Sequence, residues 1–427
     1  MLITSDFKKK ALMDTVTNKK TFTPLIAIFI TICIDMIGLG VLIPVFPLLV
    51  LPGPYKITPD SWSLSSGFIL MGWLSATYPI AQFLCSPILG QLSDRYGRKI
   101  ILTLSITGTC ISYILFAIGI ITKNIPLMFG SRLLDGMTGG NISVAQAVIA
   151  DISTPKSRAK NFGLIGMAFG LGFILGPFLG GELSDSNFVS WFGAAMPFYF
   201  ASLISFINIM LIIKFLPETL SVKSQNRINI TKPFHNLALA FFKPGIRNIM
   251  PSYTLYNAGF TFFTTFFAII MAKKFGFLQN QIGNYFAYVG IMIVIAQGLL
   301  VRRMSGKYSD YKVLRFSMFG TGICVLIYMS IPASNQNWLY FLPPFLSSFN
   351  ALSMAFFSAL IARVTPEEIR GQAFGIAGSC NAIAQSFPAI ISGYVADKSL
   401  SLTTFWGSII IFTAGIAFWL LFRPQKK

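Results

Sequence analysis

Residues 100–122 read IILTLSITGTCISYILFAIGIIT, a run of apolar and small residues without a charged side chain. A helix of this length, rising 1.5 Å per residue, reaches across the roughly 30 Å of hydrocarbon in a bilayer. Similar charge-free runs recur along the chain, in which 54% of the 427 residues are hydrophobic and 11% are charged. Soluble domains carry about 25% charged residues, so the composition excludes a soluble protein.

The continuity of these runs predicts the kind of membrane protein. Strands of a transmembrane barrel alternate in segments of about ten residues, and only helices otherwise satisfy their backbone inside lipid. We therefore predict an all-α membrane protein with twelve transmembrane helices. The predicted spans are 24–50, 64–90, 100–122, 125–150, 161–184, 194–216, 248–272, 279–301, 313–332, 337–362, 371–396 and 403–422.

The net charge of +19 follows this topology. Twelve spans put both termini on one side of the membrane, and that side holds 27 of the lysines and arginines. The opposite side holds five, which are Lys56, Lys123, Lys273, Lys274 and Lys398. Because basic residues accumulate in cytoplasmic loops, we expect a multi-pass protein of the cell inner (plasma) membrane with both termini in the cytoplasm. The positive charge then needs no nucleic-acid partner, and the lipid bilayer is the partner we expect.

The sequence offers no ligand set for a metal or cofactor. The five cysteines, all inside apolar spans, form no CxxC pair, and the single histidine, His235, lies in a predicted loop. No cluster of nucleophile, base and orienting group can be proposed. We therefore expect no metal site, no cofactor and no enzyme activity.

Two short segments recur in the second half of the chain. The segment GQLSDR at 90–95 returns 216 residues later as GKYSDY at 306–311, and Thr154-Pro155 returns as Thr365-Pro366. They predict two six-helix bundles in the same orientation, 24–216 and 248–422. We expect a cytoplasmic linker at 217–247 with a surface helix at 234–242, and short tails at 1–23 and 423–427. Parallel halves around a midplane site suit alternating access, so the architecture predicts a transporter.

Three motifs resemble those of a known family. Residues 90–99, GQLSDRYGRK, resemble the cytoplasmic GxLxDRxGRK signature of the major facilitator superfamily. Arg132 and Gly136 are similar to the fourth-span RxxxG of its twelve-span drug:proton antiporters. The fifth-span antiporter motif is matched by Gly172, Gly176, Pro177, Gly180 and Gly181. The likeness is greatest to the tetracycline exporters, and it implies the major facilitator fold and function as a monomer.

Two of these motifs also have a physical interpretation. The segment between the second and third spans is expected to act as a conformational latch, formed by Gly90, Asp94, Arg95, Gly97 and Arg98. The small residues of the fifth span are expected to let it pack closely against a span of the opposite half. They are Gly166, Gly170, Gly172, Gly176 and Gly180.

Three charged residues, Asp35, Arg132 and Asp135, lie deep within predicted spans, where each ionised side chain costs about 2.5 to 3.5 kcal/mol on insertion scales. Our hypothesis is that Asp35 carries a proton, and that desolvation and the approach of Arg132 control its protonation. Asp135 is then either a second proton site or the standing partner of Arg132. In an alternative interpretation, Asp35 hydrogen-bonds to unwound backbone near Gly38 and Gly40.

The chain departs from the tetracycline exporters at three positions. Their further membrane carboxylates and histidine align with Ser112, Phe319 and Ile293, none of which titrates. Proton coupling is therefore expected in the N-terminal half alone, and the case for tetracycline as the substrate is weakened.

Aromatic and neutral polar residues of the spans are candidates for the wall of a substrate cavity. They are Tyr78, Gln82, Asn141, Gln146, Tyr256, Asn257, Phe260, Gln297, Asn350, Asn381 and Gln385. Such a wall suits a small amphipathic molecule, with aromatic faces for a cation. We therefore expect proton-coupled antiport that exports amphipathic small molecules such as drugs. Alternatives are a transporter of an organic metabolite or siderophore-like polycarboxylate in either direction, favoured by Arg132, and a non-transporting receptor.

Overall fold

The computed structural model describes residues 24–154, 157–220, 222–225, 227–243, 245–366 and 370–422. The predicted tails 1–23 and 423–427 lie outside this part of the chain. Within it the regular secondary structure is helical, without a strand. Eleven of the described helices are long and apolar enough to cross a membrane. The all-α membrane fold predicted from hydropathy is therefore confirmed.

The fourth predicted span is built from two shorter helices, Ile125–Thr138 and Asn141–Ile152, so it is not among those eleven. Between them, Gly139 and Gly140 keep φ and ψ near −67° and 6°, and near −76° and 1°. The interruption is therefore a tight turn. A Cβ atom on Gly140 would lie 2.8 Å from the Cα of Ser86, so the glycine lets the second span approach closely.

The other helices lie close to their predicted positions. The remaining spans of the N-terminal half are Pro24–Val50, with a turn at Val41, Leu64–Tyr96, Arg98–Ile121, Arg158–Leu183 and Met196–Phe215. Helix Lys232–Phe242, here called the linker helix, follows them. The spans of the C-terminal half are Met250–Phe275, Gln279–Met304, Asp310–Ser330, Asn337–Val364, Arg370–Lys398 and Leu400–Leu421. A π-helical turn, Ala296–Val301, interrupts the eighth span.

The second span is longer than predicted. It continues to Tyr96, so residues 90–96 of the latch motif are helical and do not form a connection between spans. The helix ends at Gly97, whose φ of +119° is a conformation that residues with a side chain rarely adopt. The predicted end at residue 90 rests on the charged residues that follow. Such residues mark the membrane boundary but do not end a helix, so the helix continues to Tyr96.

The 216-residue repeat does not relate equivalent positions. Gly90 lies inside the second span, whereas Gly306, with a φ of +77°, lies in the turn before the ninth span. The third and ninth spans begin at Arg98 and Asp310. These positions are 212 residues apart, the offset at which the fifth and eleventh spans resemble each other in sequence.

The two halves are packed together at one end of the molecule. We call the end with Gly97 the basic end and the other the opposite end. Near the opposite end, the second and eleventh spans touch: a Cβ atom on Gly72 would lie 2.8 Å from the carbonyl oxygen of Ala389 and 3.1 Å from the Cα of Gly393. Backbone meets backbone here, so the halves are closed at this end.

The fifth and eighth spans diverge toward the basic end. A Cβ atom on Gly181 would lie 2.7 Å from the carbonyl oxygen of Gln279, and one on Gly170 would lie 3.0 Å from Val294. Gly163 and Gly166, seven and four residues earlier on the same helix face, have no described residue within 4 Å of a Cβ atom. The cleft between the halves is therefore open at the basic end.

The linker helix joins the two halves at the basic end. The ring of Phe234 packs edge-on against that of Phe83 in the second span, with centroids 5.6 Å apart. At the other end of the linker helix, the Lys243 ammonium donates to the side chain of Gln372 in the eleventh span at 2.6 Å. The linker helix thus contacts one span of each half.

Candidate functional site

Asp35 lies eleven residues inside the first span, roughly 16 Å along its axis at 1.5 Å per residue. As a residue, Asp35 is partly exposed. The carboxyl group faces the side-chain amide of Asn141 and lies within electrostatic reach of Asp135. The first span is helical through Gly38 and Gly40, so the alternative that Asp35 bonds to unwound backbone there is wrong.

Arg132 and Asp135 form a sealed ion pair on the fourth span. The guanidinium Nη1 donates to Oδ2 of Asp135 at 3.3 Å, and each side chain is only 3% exposed. The Cζ of Arg132 lies 4.3 Å from the ring centroid of Phe116 and 6.0 Å from that of Phe198. The pair is three residues apart on one helix face, as the sequence predicts, and in this conformation the partner of Arg132 is Asp135.

Unsatisfied polar atoms surround the three charged residues. Asn141 is 1% exposed, and neither its Nδ2 nor its Oδ1 has a hydrogen-bond partner among the described residues. The Nε of Arg132 lacks one as well. Buried polar groups are nearly always paired in native proteins. The Asn141 amide and the Nε of Arg132 are therefore suited to hydrogen-bonding with water or with a polar group of a substrate.

The second and third spans complete the wall of this site. The side-chain amide of Gln82 donates to the Tyr78 hydroxyl at 3.1 Å and to the carbonyl oxygen of Gly139 at 2.9 Å. The Tyr113 hydroxyl occupies the position that a Cβ atom on Gly38 would take. Glycine at position 38 therefore lets the first span approach the third. All these residues belong to the N-terminal half.

The remaining cavity candidates differ in how accessible they are. Tyr256 is 0% exposed, and its hydroxyl donates to Oδ1 of Asn350 at 2.9 Å. Asn257 is 9% exposed, and its amide donates to the carbonyl oxygen of Tyr253 at 2.8 Å. Both are engaged inside the C-terminal half and do not line an open wall. The candidates with exposed or partly exposed side chains are Tyr78, Gln82, Gln146, Phe260, Gln297, Asn350, Asn381 and Gln385.

The glycines of the fifth span pack on two different neighbours. Gly172, Gly176 and Gly180 face the first span, where a Cβ atom on Gly176 would lie 2.8 Å from the Cα of Gly40. Gly170 and Gly181 face the eighth span. Packing of the whole stripe against the opposite half was therefore wrong for three of its members. Residues four apart share one helix face, and that face points into their own half.

The latch motif is held together by Arg98. Its Nη1 contacts Oδ1 of Asp94 at 2.5 Å and Oγ of Ser93 at 2.6 Å, and its Nε donates to Oδ2 of Asp151 at 3.2 Å. Asp151, at the end of the fourth span, had no role in the sequence analysis. A lone carboxylate after an apolar run looks like an ordinary boundary residue, and only its contact with Arg98 distinguishes it.

Glu218, just after the sixth span, caps the third span. Its carboxylate accepts the backbone N–H of Arg98 at 2.9 Å and of Lys99 at 3.2 Å. Burial raises the pKa of Glu218, but the backbone N–H groups of Leu220, Arg98, Lys99 and Thr219 together outweigh it and hold the pKa below its usual value. A negative charge at a helix N-terminus is stabilising, so the latch is tied to the end of the sixth span.

Comparison with known proteins supplies the family. The sequence profile of the Major Facilitator Superfamily matches residues 28–356 and again 249–427. Tetracycline resistance protein, class C, of Escherichia coli is 26% identical over 412 residues, which are 96% of this chain and 97% of that protein. Multidrug resistance protein 2 of Bacillus subtilis (strain 168) is 29% identical over 313 residues, which are 71% and 72%.

Among solved structures, a D-xylose–proton symporter superposes with a TM-score of 0.78 at 16% sequence identity. The match covers 95% of this chain and 98% of the symporter. At this level of identity the likeness concerns the fold, which is the arrangement of two six-helix bundles predicted from the sequence.

Proposed function

The chain belongs to the major facilitator superfamily, and from that premise we propose that this transporter exports amphipathic small molecules in exchange for protons. The proposal places it in the cell inner (plasma) membrane, with the basic end and both termini in the cytoplasm. The similarity to tetracycline and multidrug resistance proteins supports export. Closure at the opposite end and opening at the basic end then correspond to a conformation that receives substrate from the cytoplasm.

The observation that carries the proposal is the state of Asp35. It is a carboxyl group in the middle of a span, partly exposed, whereas the neighbouring Asp135 is sealed in an ion pair with Arg132. Of the two carboxyl groups, Asp35 is the one without an ion-pair partner among the described residues, and it is the one to which we assign proton exchange with the cleft. Neutral or charged, it meets the same Asn141 amide, which can donate to a carboxylate or accept from a carboxylic acid.

Alternating access explains how proton and substrate exchange. The halves touch through glycines at the opposite end, so a rocking motion can open that end while the basic end closes. A proton that enters from outside neutralises Asp35 and releases a bound molecule. Loss of the proton to the cytoplasm restores the charge for the next molecule.

Reconstituted protein tests this assignment. Liposomes with an imposed pH step receive tetraphenylphosphonium, a lipophilic cation, while a trapped dye reports internal pH. Wild-type protein should move protons when the cation is added, and Asp35→Asn should abolish this flux without lowering expression. Asp60→Asn is the matched control, because Asp60 is an exposed carboxylate bonded only to Lys56 among the described residues. Equal proton flux in the Asp35 variant contradicts the proposal.

A second candidate function is transport of a metabolite or polycarboxylate, in either direction. The unpaired Nε of Arg132 favours it, since a guanidinium with free donors can bind a carboxylate. Competition separates the two functions: lipophilic cations should compete with the transported molecule in the first case, and citrate or similar polycarboxylates in the second.

A further inference from the structure

The Arg132 guanidinium is held by few polar contacts. One of its nitrogens donates to Asp135 at a long 3.3 Å, and its Nε has no partner among the described residues. An ionised side chain in hydrocarbon is costly unless it is paired or solvated, and at 3% exposure the side chain of Arg132 has little water. The ion pair with Asp135 therefore leaves room for a second contribution that stabilises the charge in this place.

Two aromatic rings supply that stabilisation. The Cζ of Arg132 lies 4.3 Å from the centroid of Phe116 on the third span and 6.0 Å from that of Phe198 on the sixth. Both rings are 0% exposed, and their centroids are 4.6 Å apart. A cation within about 6 Å of an aromatic face is attracted by the ring quadrupole, most strongly where water is excluded. We call this pair of rings the aromatic clamp.

The clamp lies on the far side of Asp135 from Asp35. Along the fourth span, Arg132 precedes Asp135 by three residues, about 4.5 Å toward the opposite end. Asn141, which faces Asp35, follows Asp135 by six residues toward the basic end. To pair with Asp35, the guanidinium would have to leave the positions that it occupies on both rings and on Asp135.

Among the described residues, Arg132 is the cation in the charged cluster around Asp35. The titratable groups that act on its site are Asp135 and Arg132 from the fourth span, Tyr78 from the second and Tyr113 from the third. Where the fifth span meets the adjacent turn of the first span, Gly172 lies against Met36. Among the titratable groups named here, Arg132 is the one with a positive charge that could neutralise Asp35 by pairing with it.

We propose that Phe116 and Phe198 are positioning residues that hold Arg132 on Asp135 and away from Asp35, so that Asp35 remains the carboxyl group that binds the proton. This inference rests on the proposed function, in which Asp35 carries the proton. Without the clamp, Arg132 is shared between two carboxylates. Asp35 then becomes part of an ion pair and takes up its proton only at lower pH.

Proton uptake by the purified protein tests the inference without a known substrate. Titration of wild type minus titration of Asp35→Asn gives the pH midpoint of Asp35, and the infrared band of a protonated carboxylic acid, lost in Asp35→Asn, verifies its identity. Phe116→Leu should move this midpoint to lower pH by about one to one and a half units, which corresponds to binding of the cation that is about ten- to thirtyfold weaker. Phe198→Leu should move it less, because its ring is farther away.

Fluorinated phenylalanines at position 116 keep the shape of the ring and weaken its quadrupole stepwise, so they remain informative if Phe116→Leu does not fold. The midpoint should fall progressively with each added fluorine. Position 418 is the control, because Phe418 is also 0% exposed but has no cation over its ring among the described residues. The clamp is overturned if the pH midpoint of Asp35 does not change, or rises, when position 116 is fluorinated. It is also overturned if fluorination at position 418 changes the midpoint equally. If wild type and Asp35→Asn take up equal numbers of protons, Asp35 does not carry the proton. The proposed function is then contradicted, and the inference about the clamp, which rests on it, is contradicted as well.

Discussion

A single methyl group at Gly283 should open the closed end of the molecule. Gly283 lies on the eighth span, where a Cβ atom would be 2.5 Å from the carbonyl oxygen of Pro177 and 3.0 Å from the Cα of Gly181. Both neighbours are backbone atoms of the fifth span, so no flexible side chain can move aside. In Gly283→Ala the two spans must separate at the opposite end.

The size of the effect follows from this contact. Overpacking a tight interface by one methyl group costs roughly 1 to 3 kcal/mol, and the cost falls only on the conformation in which the two spans touch. The ratio of molecules open at the opposite end to molecules closed there should therefore rise about 5- to 150-fold. Gly298→Ala on the same span is the matched control, because in the part of the chain that the structure describes no atom lies within 4 Å of its Cβ position.

Electron–electron distance measurements provide the assay. Spin labels at position 60, in the loop before the second span, and at position 335, in the loop before the tenth, report the separation at the opposite end. The long-distance population should grow in Gly283→Ala and stay at the wild-type level in Gly298→Ala. Because both variants replace glycine by alanine in a helix, the gain in helix propensity is common to both. Equal distance distributions in the two variants would refute the reasoning that backbone contact closes this end.

Two further predictions concern the basic end. Glu218→Gln should lower the free energy of unfolding at neutral pH by about 1 kcal/mol, the usual value of a helix cap, as measured by thermal unfolding in detergent. The folded-state pKa of Glu218 lies below its usual value. Its contribution to the free energy of unfolding is therefore present above about pH 4.3 and is lost as the pH falls through the folded-state pKa. The variant should not show this loss of stability in acid. Gln91 exchanges two hydrogen bonds with the backbone of Asn229, at 3.1 and 2.8 Å, so Gln91→Ala should speed tryptic cleavage at Arg227 about five- to tenfold. Gln146→Ala, an exposed glutamine on the fourth span, should leave the cleavage rate unchanged.

Hydropathy predicts the spans well because a segment inside lipid must be apolar and must satisfy its backbone hydrogen bonds as a helix. The eighth span, predicted at 279–301, is observed at Gln279–Met304, and the sixth, predicted at 194–216, is observed at Met196–Phe215. Helix ends are harder to predict, since they depend on the backbone conformation of single residues. Gly97 ends the second span by its positive φ, and the apolar pattern gives no indication of it.

The charged core of the site could be predicted for the same reason: a carboxylate or guanidinium inside a span is rare and costly. Its aromatic surroundings could not. The chain has 42 phenylalanines, and a phenylalanine that faces lipid has the same sequence context as one that faces a cation. Phe116 and Phe198 come together only because the third and sixth spans pack side by side, which is a tertiary contact without a local signal.

Each half has an ion pair at the basic end that joins two of its spans, and the acidic and basic partners are exchanged between the halves. We call this ion pair the tether. In the first half, Arg98 at the start of the third span bonds to Asp151 at the end of the fourth, at 3.2 Å. In the second half, Asp310 at the start of the ninth bonds to Arg363 at the end of the tenth, also at 3.2 Å. Arg98 and Asp310 are 212 residues apart, and so are Asp151 and Arg363.

A pair with reversed polarity ties two helices together as well as the original pair does, because attraction does not depend on which partner carries which charge. The tether is therefore the feature that both halves share, and its charges are free to differ. The proposed proton site has no such counterpart, because Asp35, Asp135 and Arg132 have no charged equivalents deep within the described spans of the C-terminal half. In the function that we propose, proton binding therefore acts on the cleft from the N-terminal half, which rocks against the C-terminal half.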